Sequence, residues 1–340
     1  MILILTEPRD AHANHVETRL RERGAELVRF DWAQFPSEAE VSLAYTPLGA
    51  SACTLRVGGE SIDLQRVATV WDRRPQNPVA HAELTDGAIR AHVEKECKIF
   101  VQDVWSCLDC PWVPAPRSVI FRAHLKAVQL KLAGELGFEL PPTLVTNSPE
   151  DFLEFYREHN GNLISKVIGL PSIVRDETTF SRFTKLVSKR DVGHAGALRF
   201  CPVIFQACVP KRLELRITVV GRAVFAAEIH SQESNQTRVD WRHYDHFQTR
   251  YLPHALPPDL EQRCVQLVER LGLYYGAIDM ALTPDGRYVF FEINPNGQYL
   301  WIELATGLPI SDALCDLLMA GSSGDRTTAH GLQARAGGRS

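Results

Sequence analysis

A chain of 340 residues that is 45% hydrophobic and 23% charged has enough apolar material for two or three packed domains, which excludes wholesale disorder. Its 37 Lys and Arg against 41 Asp and Glu give a formal net charge of −4, arguing against a general binder of nucleic acid or of anionic membranes. No apolar run approaches the roughly 20 residues of a membrane span, and Met1 leads straight into residues 2–5 without a basic, signal-like region, so a cytoplasmic protein is expected.

Residues 2–5 read as a buried strand, 16–23 as a helix ending at Gly24, and 26–30 as a second strand, the opening of an α/β layer. Residues 53–57 and 61–64, separated by Gly58, Gly59 and Glu60, read as a hairpin, 67–71 as a strand and 88–100 as a long helix. Pro111, Pro114 and Pro116 mark a linker or turn cluster. Beyond them, 123–136 has a helical pattern stopped by Gly137, 143–146 reads as a strand, and Ser148 with Glu150 and Asp151 starts a helix to about residue 159. Residues 163–168 read as a strand, and 203–209, 213–220 and 223–229 as an antiparallel meander. A helix over 260–271 precedes strands over 277–282 and 288–294 around the turn 283–286, and the Gly-, Ser- and Arg-rich tail 321–340 reads as disordered.

Eight cysteines scattered through a chain without a signal peptide read as reduced thiols. Cys107 and Cys110 form the sole C-x-x-C and lack the second pair or the histidines of a zinc site, so packing is the expected role.

The stretch from Asp279 to Asn294 carries the strongest chemical signal. Glu292 and Asn294 are two residues apart and share one strand face. A two- or four-residue turn would bring Asp279 onto that face diagonally, roughly 7–8 Å away, where a metal ion could bridge the side chains; a three-residue loop with a bulge would reverse the parity. Asp, Glu and Asn offer the hard oxygens that Mg²⁺ takes at about 2.1 Å. Since Glu292 follows Val289, Phe290 and Phe291, a freely solvated carboxylate fits poorly, and a buried one wants a cation or strong donors.

The passage "GAIDMALTPDGRYVFFEINPNGQ" resembles the C-terminal metal hairpin of the ATP-grasp ligases, and the similarity extends over most of residues 118–310. The resemblance implies an α/β chain, α+β in its C-terminal half, with ATP held between two α+β subdomains: an N-terminal α/β pre-ATP-grasp domain over 1–117, a central subdomain over 118–205, a metal-bearing subdomain over 206–320 and a tail over 321–340. It implies that Asp279, Glu292 and Asn294 hold Mg²⁺, that Lys166 of "LISKVIG" and Lys126 of "RAHLKAVQLKLA" hold phosphates, that Gln206, Ala207, Cys208 and Val209 form the adenine hinge, and that Glu214 accepts ribose hydroxyls. Arg216 would lie beside the transferring phosphoryl group, where a guanidinium fork neutralises spread charge. A glycine-rich lid is expected after Lys166, yet Gly169 is followed by Leu170 and Pro171, so the lid is expected to be shortened or moved towards residues 193–196.

Within that superfamily, "VWDRRP", "LPPTLVTNSPEDF" and "VDWRHY" resemble the microviridin-type peptide maturases, or graspetide synthetases. The implied reaction activates an Asp or Glu of a ribosomal precursor peptide as an acyl phosphate and passes it to a Ser or Thr hydroxyl or a Lys amine, with ester favoured. Arg73, Arg74 and Arg242 are candidates for gripping acidic side chains, and Arg242 with Asp240 joins Arg216 as a candidate catalytic residue. The implied partner is the precursor's leader and acidic core, with neither nucleic acid nor membrane, and a homodimer is left open. The general base is unassigned among His230, His243 and His246. An amino-acid ligase acting on small molecules or proteins, and a non-catalytic scaffold binding ATP or leader peptide, are the alternatives.

Overall fold

The computed structural model describes residues 1–49, 51–169, 172–175, 178–181, 184–233 and 249–322. At the N-terminus a sheet of four parallel strands runs in the order Leu27–Phe30, Ile2–Thr6, Thr69–Arg74, Trp112–Val113. Ile2 to Leu5 are buried on both faces, as expected of a central parallel strand. The first helix, Ala11–Glu22, starts earlier than its apolar stripe predicts, because Asp10 caps it by accepting from the His12 amide at 2.9 Å. The expected hairpin closes through Gly58 and Gly59, both at positive φ, and pairs Ser51–Val57 with Glu60–Asp63. A third strand of that sheet, Ala39–Tyr45, has too few buried positions to announce itself in sequence.

Pro111 and Pro114 do not mark a linker. Between them Trp112 and Val113, 6% and 2% exposed, extend the N-terminal sheet beside Val70 and Trp71. The predicted helix over 123–136 is two helices, Arg117–His124 and Lys126–Glu135, broken where Leu125 is extended. No glycine or proline signals the break; Gln129 holds it by donating from Nε2 to the Ala123 carbonyl at 2.7 Å.

The predicted meander divides between two sheets. Val203–Ala207 sits in a four-stranded antiparallel sheet between Leu163–Lys166 and Thr143–Thr146, whereas Leu213–Val220 and Ala223–Ile229 belong to the next sheet. The helix Pro149–Glu158, capped by Ser148, covers the first of these sheets and stacks Phe152 on Phe205 with ring centroids 4.2 Å apart. After Lys166 the chain forms an antiparallel ladder of Ser172–Arg175 with Thr178–Ser181. Residues 193–196, expected to carry a displaced lid, instead lie in the helical segments Lys189–Gly193 and Ala195–Phe200.

The C-terminal sheet has five antiparallel strands in the order Tyr251–Pro253, Ala223–Ile229, Leu213–Val220, Tyr275–Leu282, Tyr288–Asn294. Leu213, Leu215, Ile217 and Val219 point into a core completed by the helices Lys126–Glu135 and Pro258–Arg270. The opposite face carries Glu214 and Arg216, both buried, and Val220, which packs with Ile2, Val16 and Trp71 of the N-terminal layer and Ile302 and Leu318 of the C-terminal helices. Those helices, Leu300–Thr306 and Ile310–Ser322, were not foreseen. The second reaches past the expected start of the tail: Gly321 packs so tightly on Thr69 that a Cβ there would lie 2.2 Å from Oγ1. The rest of the tail, 323–340, lies outside the described residues.

All eight cysteines are free. Burial pushes the Cys110 thiol up to about 12, whereas Cys107, expected to pack, is exposed. No helix among the described residues is long and apolar enough to cross a membrane.

Candidate active site

The hairpin that should converge the oxygen donors does so by a different route from the predicted one. Leu282 pairs with Tyr288, so residues 283–287 form the connection, and Met280 faces Phe290. On that parity Asp279 would face Phe291. A register shift between Asp279 and Met280 changes the phase, so that Asp279 lies directly opposite Glu292 and Ala277 opposite Asn294. The expected even-numbered turn and diagonal pair are thus corrected to an odd connection plus a bulge, which restores the shared face. Asn294 Nδ2 donates to Asp279 Oδ2 at 3.0 Å and to Glu292 Oε1 at 3.3 Å, so the three side chains meet.

Two cations face these acids. Arg216, directly opposite Asp279 on the neighbouring strand, donates from Nη1 to both of its carboxylate oxygens at 2.8 and 3.0 Å and is only 5% exposed. Burial works against its charge, but the Asp279 carboxylate and the hydrogen bonds to it hold the guanidinium above its ordinary pKa. Lys126, the first residue of its helix, reaches Glu292 Oε2 at 2.7 Å. His124 beside it is held below the ordinary imidazole value, by burial first and by the charge of Lys126 second.

Gln129 escaped the sequence reading, although it interrupts the apolar run of "KAVQLKLA". It is 1% exposed, donates to the Ile293 carbonyl at 2.8 Å and accepts from the Ile293 amide at 3.3 Å, pinning the strand Tyr288–Asn294 beside Glu292. Gln129→Leu leaves both Ile293 groups buried without a partner, so a loss of about 1–3 kcal/mol for each is expected in urea denaturation.

Lys166 Nζ bonds Gln206 Oε1 at 2.8 Å and lies over the Phe291 ring, 5.1 Å from its centroid, while Gln206 Nε2 bonds Thr143 Oγ1 at 2.9 Å. Glu214 is buried and paired with Lys211 at 2.7 Å. In the expected hinge the amides of Ala207 and Cys208 are already bonded to the carbonyls of Pro142 and Asn162, both at 2.9 Å. Lys126, Arg216, Asp279, Glu292 and Asn294 therefore form one bonded cluster, with Lys166 and Gln206 joined to it through Phe291.

Arg73 stands elsewhere. It is 4% exposed, its Nε lies 3.3 Å from Asp10 Oδ2, and its Nη1 donates to the Asn296 carbonyl at 2.9 Å. A side chain so enclosed cannot grip an arriving peptide, which corrects its expected role. Arg74 is exposed. Asp72 of the same motif is bound by Arg117 at 2.8 Å. Asp240, Arg242, His243 and His246 lie outside the described residues; His230 is described and bonds Glu228 at 2.9 Å.

Comparison with known proteins decides the family. Residues 1–119 match the family model of the MvdD pre-ATP grasp domain. A Chryseobacterium gregarium RiPP-associated ATP-grasp ligase, solved in complex with ADP and a leader and core peptide, is 32% identical with a TM-score of 0.86, over 94% of this chain and 96% of that one. The chain belongs to the RiPP-associated ATP-grasp ligases. The macrocyclase MdnC of Microcystis aeruginosa MRC, bound with its precursor peptide MdnA, is also 32% identical, with a TM-score of 0.83 over 94% and 99% of the two chains. The ATP-grasp ligase PsnB, complexed with minimal precursor, Mg and ADP, is 25% identical with a TM-score of 0.74 over 94% and 97%. No curated sequence matches. The protein is accordingly an ATP-dependent ligase of α/β ATP-grasp fold, and where its central and C-terminal sheets meet it brings together Lys126, Lys166, Arg216, Asp279, Glu292 and Asn294.

Proposed function

We propose that this ATP-grasp ligase uses ATP and Mg²⁺ to activate Asp or Glu side chains of a ribosomal precursor peptide and to join them to Ser or Thr hydroxyls, or to Lys amines, closing macrocycles. The observation that carries the reading is the convergence of Asp279, Glu292 and Asn294 beside Lys126 and Arg216, within a fold whose relatives are solved with ADP, Mg and precursor peptide. In the first step a carboxylate oxygen attacks the γ-phosphorus and ADP leaves. In the second the hydroxyl or amine attacks the acyl carbon, loses its proton and expels phosphate, so each bond removes one water from the peptide.

The donor set suits a hard cation: two carboxylates and one amide oxygen on one strand pair, without sulfur or imidazole. Bound Mg²⁺ would screen the phosphate charge. Lys126 and Lys166 would bind phosphate oxygens as point charges, and Glu214 the ribose. With the Ala207 and Cys208 amides engaged, Val209 is the hinge residue whose amide is left for adenine. Arg216 would face the transferring phosphoryl group; Arg74, Arg242 and Asp240 are kept as residues that would meet the peptide. The division at residues 117, 205 and 320 separates the parts in this reading.

The test is incubation with a precursor peptide encoded beside the gene. ADP release that depends on the peptide, with a mass loss of one water per bond, is expected; absence of ADP with the correct peptide would leave a binding scaffold instead. Mild base opens esters and spares amides, and ester products are expected.

A further inference from the structure

The segment between the metal strand and the helix Leu300–Thr306 has no regular structure, yet it is fixed at each successive peptide. Its carbonyls at Asn296, Gly297 and Gln298 accept in turn from Arg73 Nη1 at 2.9 Å, Tyr275 Oη at 2.6 Å and Arg216 Nη2 at 2.9 Å. The next two amides, Tyr299 and Leu300, both donate to His12 Nε2 at 3.1 Å. A ring nitrogen that accepts twice belongs to a neutral imidazole protonated at Nδ1, which here faces Asp10. Gly297 is required by space: a Cβ would lie 2.4 Å from that of Ala277 and 2.8 Å from Arg216 Nη2.

Two of these anchors come from the N-terminal domain. Asp10 seats both, since it pairs with Arg73, lies 3.5 Å from His12 Nδ1, accepts from Thr6 Oγ1 at 3.0 Å and caps its own helix. Burial opposes its charge, but the bond to His12 and the charge of Arg73 hold the carboxyl well below the usual range. This is a buried polar network whose output is the position of the loop that follows Asn294.

We propose that Arg73, seated by Asp10, is a positioning residue through which the N-terminal domain sets the affinity of the metal and nucleotide site; the inference rests on Asp279, Glu292 and Asn294 holding Mg²⁺. Asn294 closes the ladder opposite Ala277, two residues before Asn296, so releasing that carbonyl loosens the third donor at the end of its strand, whereas Asp279 and Glu292 lie further inside the ladder. Supports of this kind behind metal donors change metal affinity by about 10–100-fold when removed.

The test compares Arg73→Met and Arg73→Lys with Arg23→Ala. Arg23 crosses the same domain interface to Asp312 and Asp316 at 2.6 and 2.7 Å but touches nothing in the loop. Calorimetric titration with Mg²⁺ and ADP should give at least tenfold weaker binding for Arg73→Met, partial recovery in Arg73→Lys, and wild-type binding for Arg23→Ala, even where its melting temperature falls. Amide exchange of Gly297 and Gln298 should quicken in both Arg73 variants without metal. Wild-type affinity and exchange in a folded Arg73→Lys protein would overturn the proposal, whether or not Arg73→Met folds. Wild-type protein that binds no Mg²⁺ and ADP would instead overturn the metal assignment.

Discussion

Arg216→Met is expected to abolish peptide-dependent ADP formation and to destabilise the protein by about 3–5 kcal/mol, the cost of stranding one member of a buried ion pair. Asp279 loses the guanidinium that bonds both its oxygens, and the Gln298 carbonyl loses its donor at 2.9 Å. The loss of rate should be on the order of 10³-fold or more, the range for an arginine that meets a transferring phosphoryl group. Arg216→Lys retains a charge but not the fork, so it should recover much of the stability and little of the rate. Urea denaturation and steady-state ADP release separate the two effects. A variant with wild-type turnover would remove Arg216 from the chemistry.

Glu292→Gln should be equally inactive for a different reason, and without the loss of fold. Glu292 and Lys126 are 21% and 23% exposed, so water can solvate the lysine once its partner is neutral, and a stability change within about 1 kcal/mol is expected. On the proposed assignment, water loss from the peptide should disappear, because one of the two carboxylates offered to Mg²⁺ is gone. Asp279→Ala would reach the same endpoint while removing the carboxylate that faces the buried Arg216, so it is the less informative variant. Mass spectrometry of the peptide, alongside thermal unfolding, reads both outcomes. Full dehydration by Glu292→Gln would contradict the metal assignment.

How much of this was legible in the sequence depended on whether a residue's neighbours in the chain are also its neighbours in space. The strands Thr143–Thr146, Leu213–Val220 and Tyr288–Asn294 could be read to the residue, because apolar runs bounded by Pro, Gly and polar turns state both period and ends. Glu292 stood out as an acid directly after the apolar run Val289, Phe290 and Phe291. The break at Leu125 could not be read, since no glycine or proline marks it, and neither could the pair of hydrogen bonds between Gln129 and Ile293, which join residues 164 apart in the chain. Arg73 was misread for the same reason. Next to Arg74 and Pro75 it looks like an exposed basic motif, and only Asp10 and Asn296, packed around it, make it an interior brace.

A regular pleat sends consecutive side chains to opposite sides of a sheet. The extra residue in the strand Tyr288–Asn294 suspends that rule at one place, so that Phe291 lies beneath the ammonium of Lys166 while Glu292, its immediate successor, answers Lys126 and Asn294. Two adjoining codons thereby furnish the greasy floor for one lysine and the counter-charge for the other, and a single slipped peptide serves a lysine from each of two neighbouring elements.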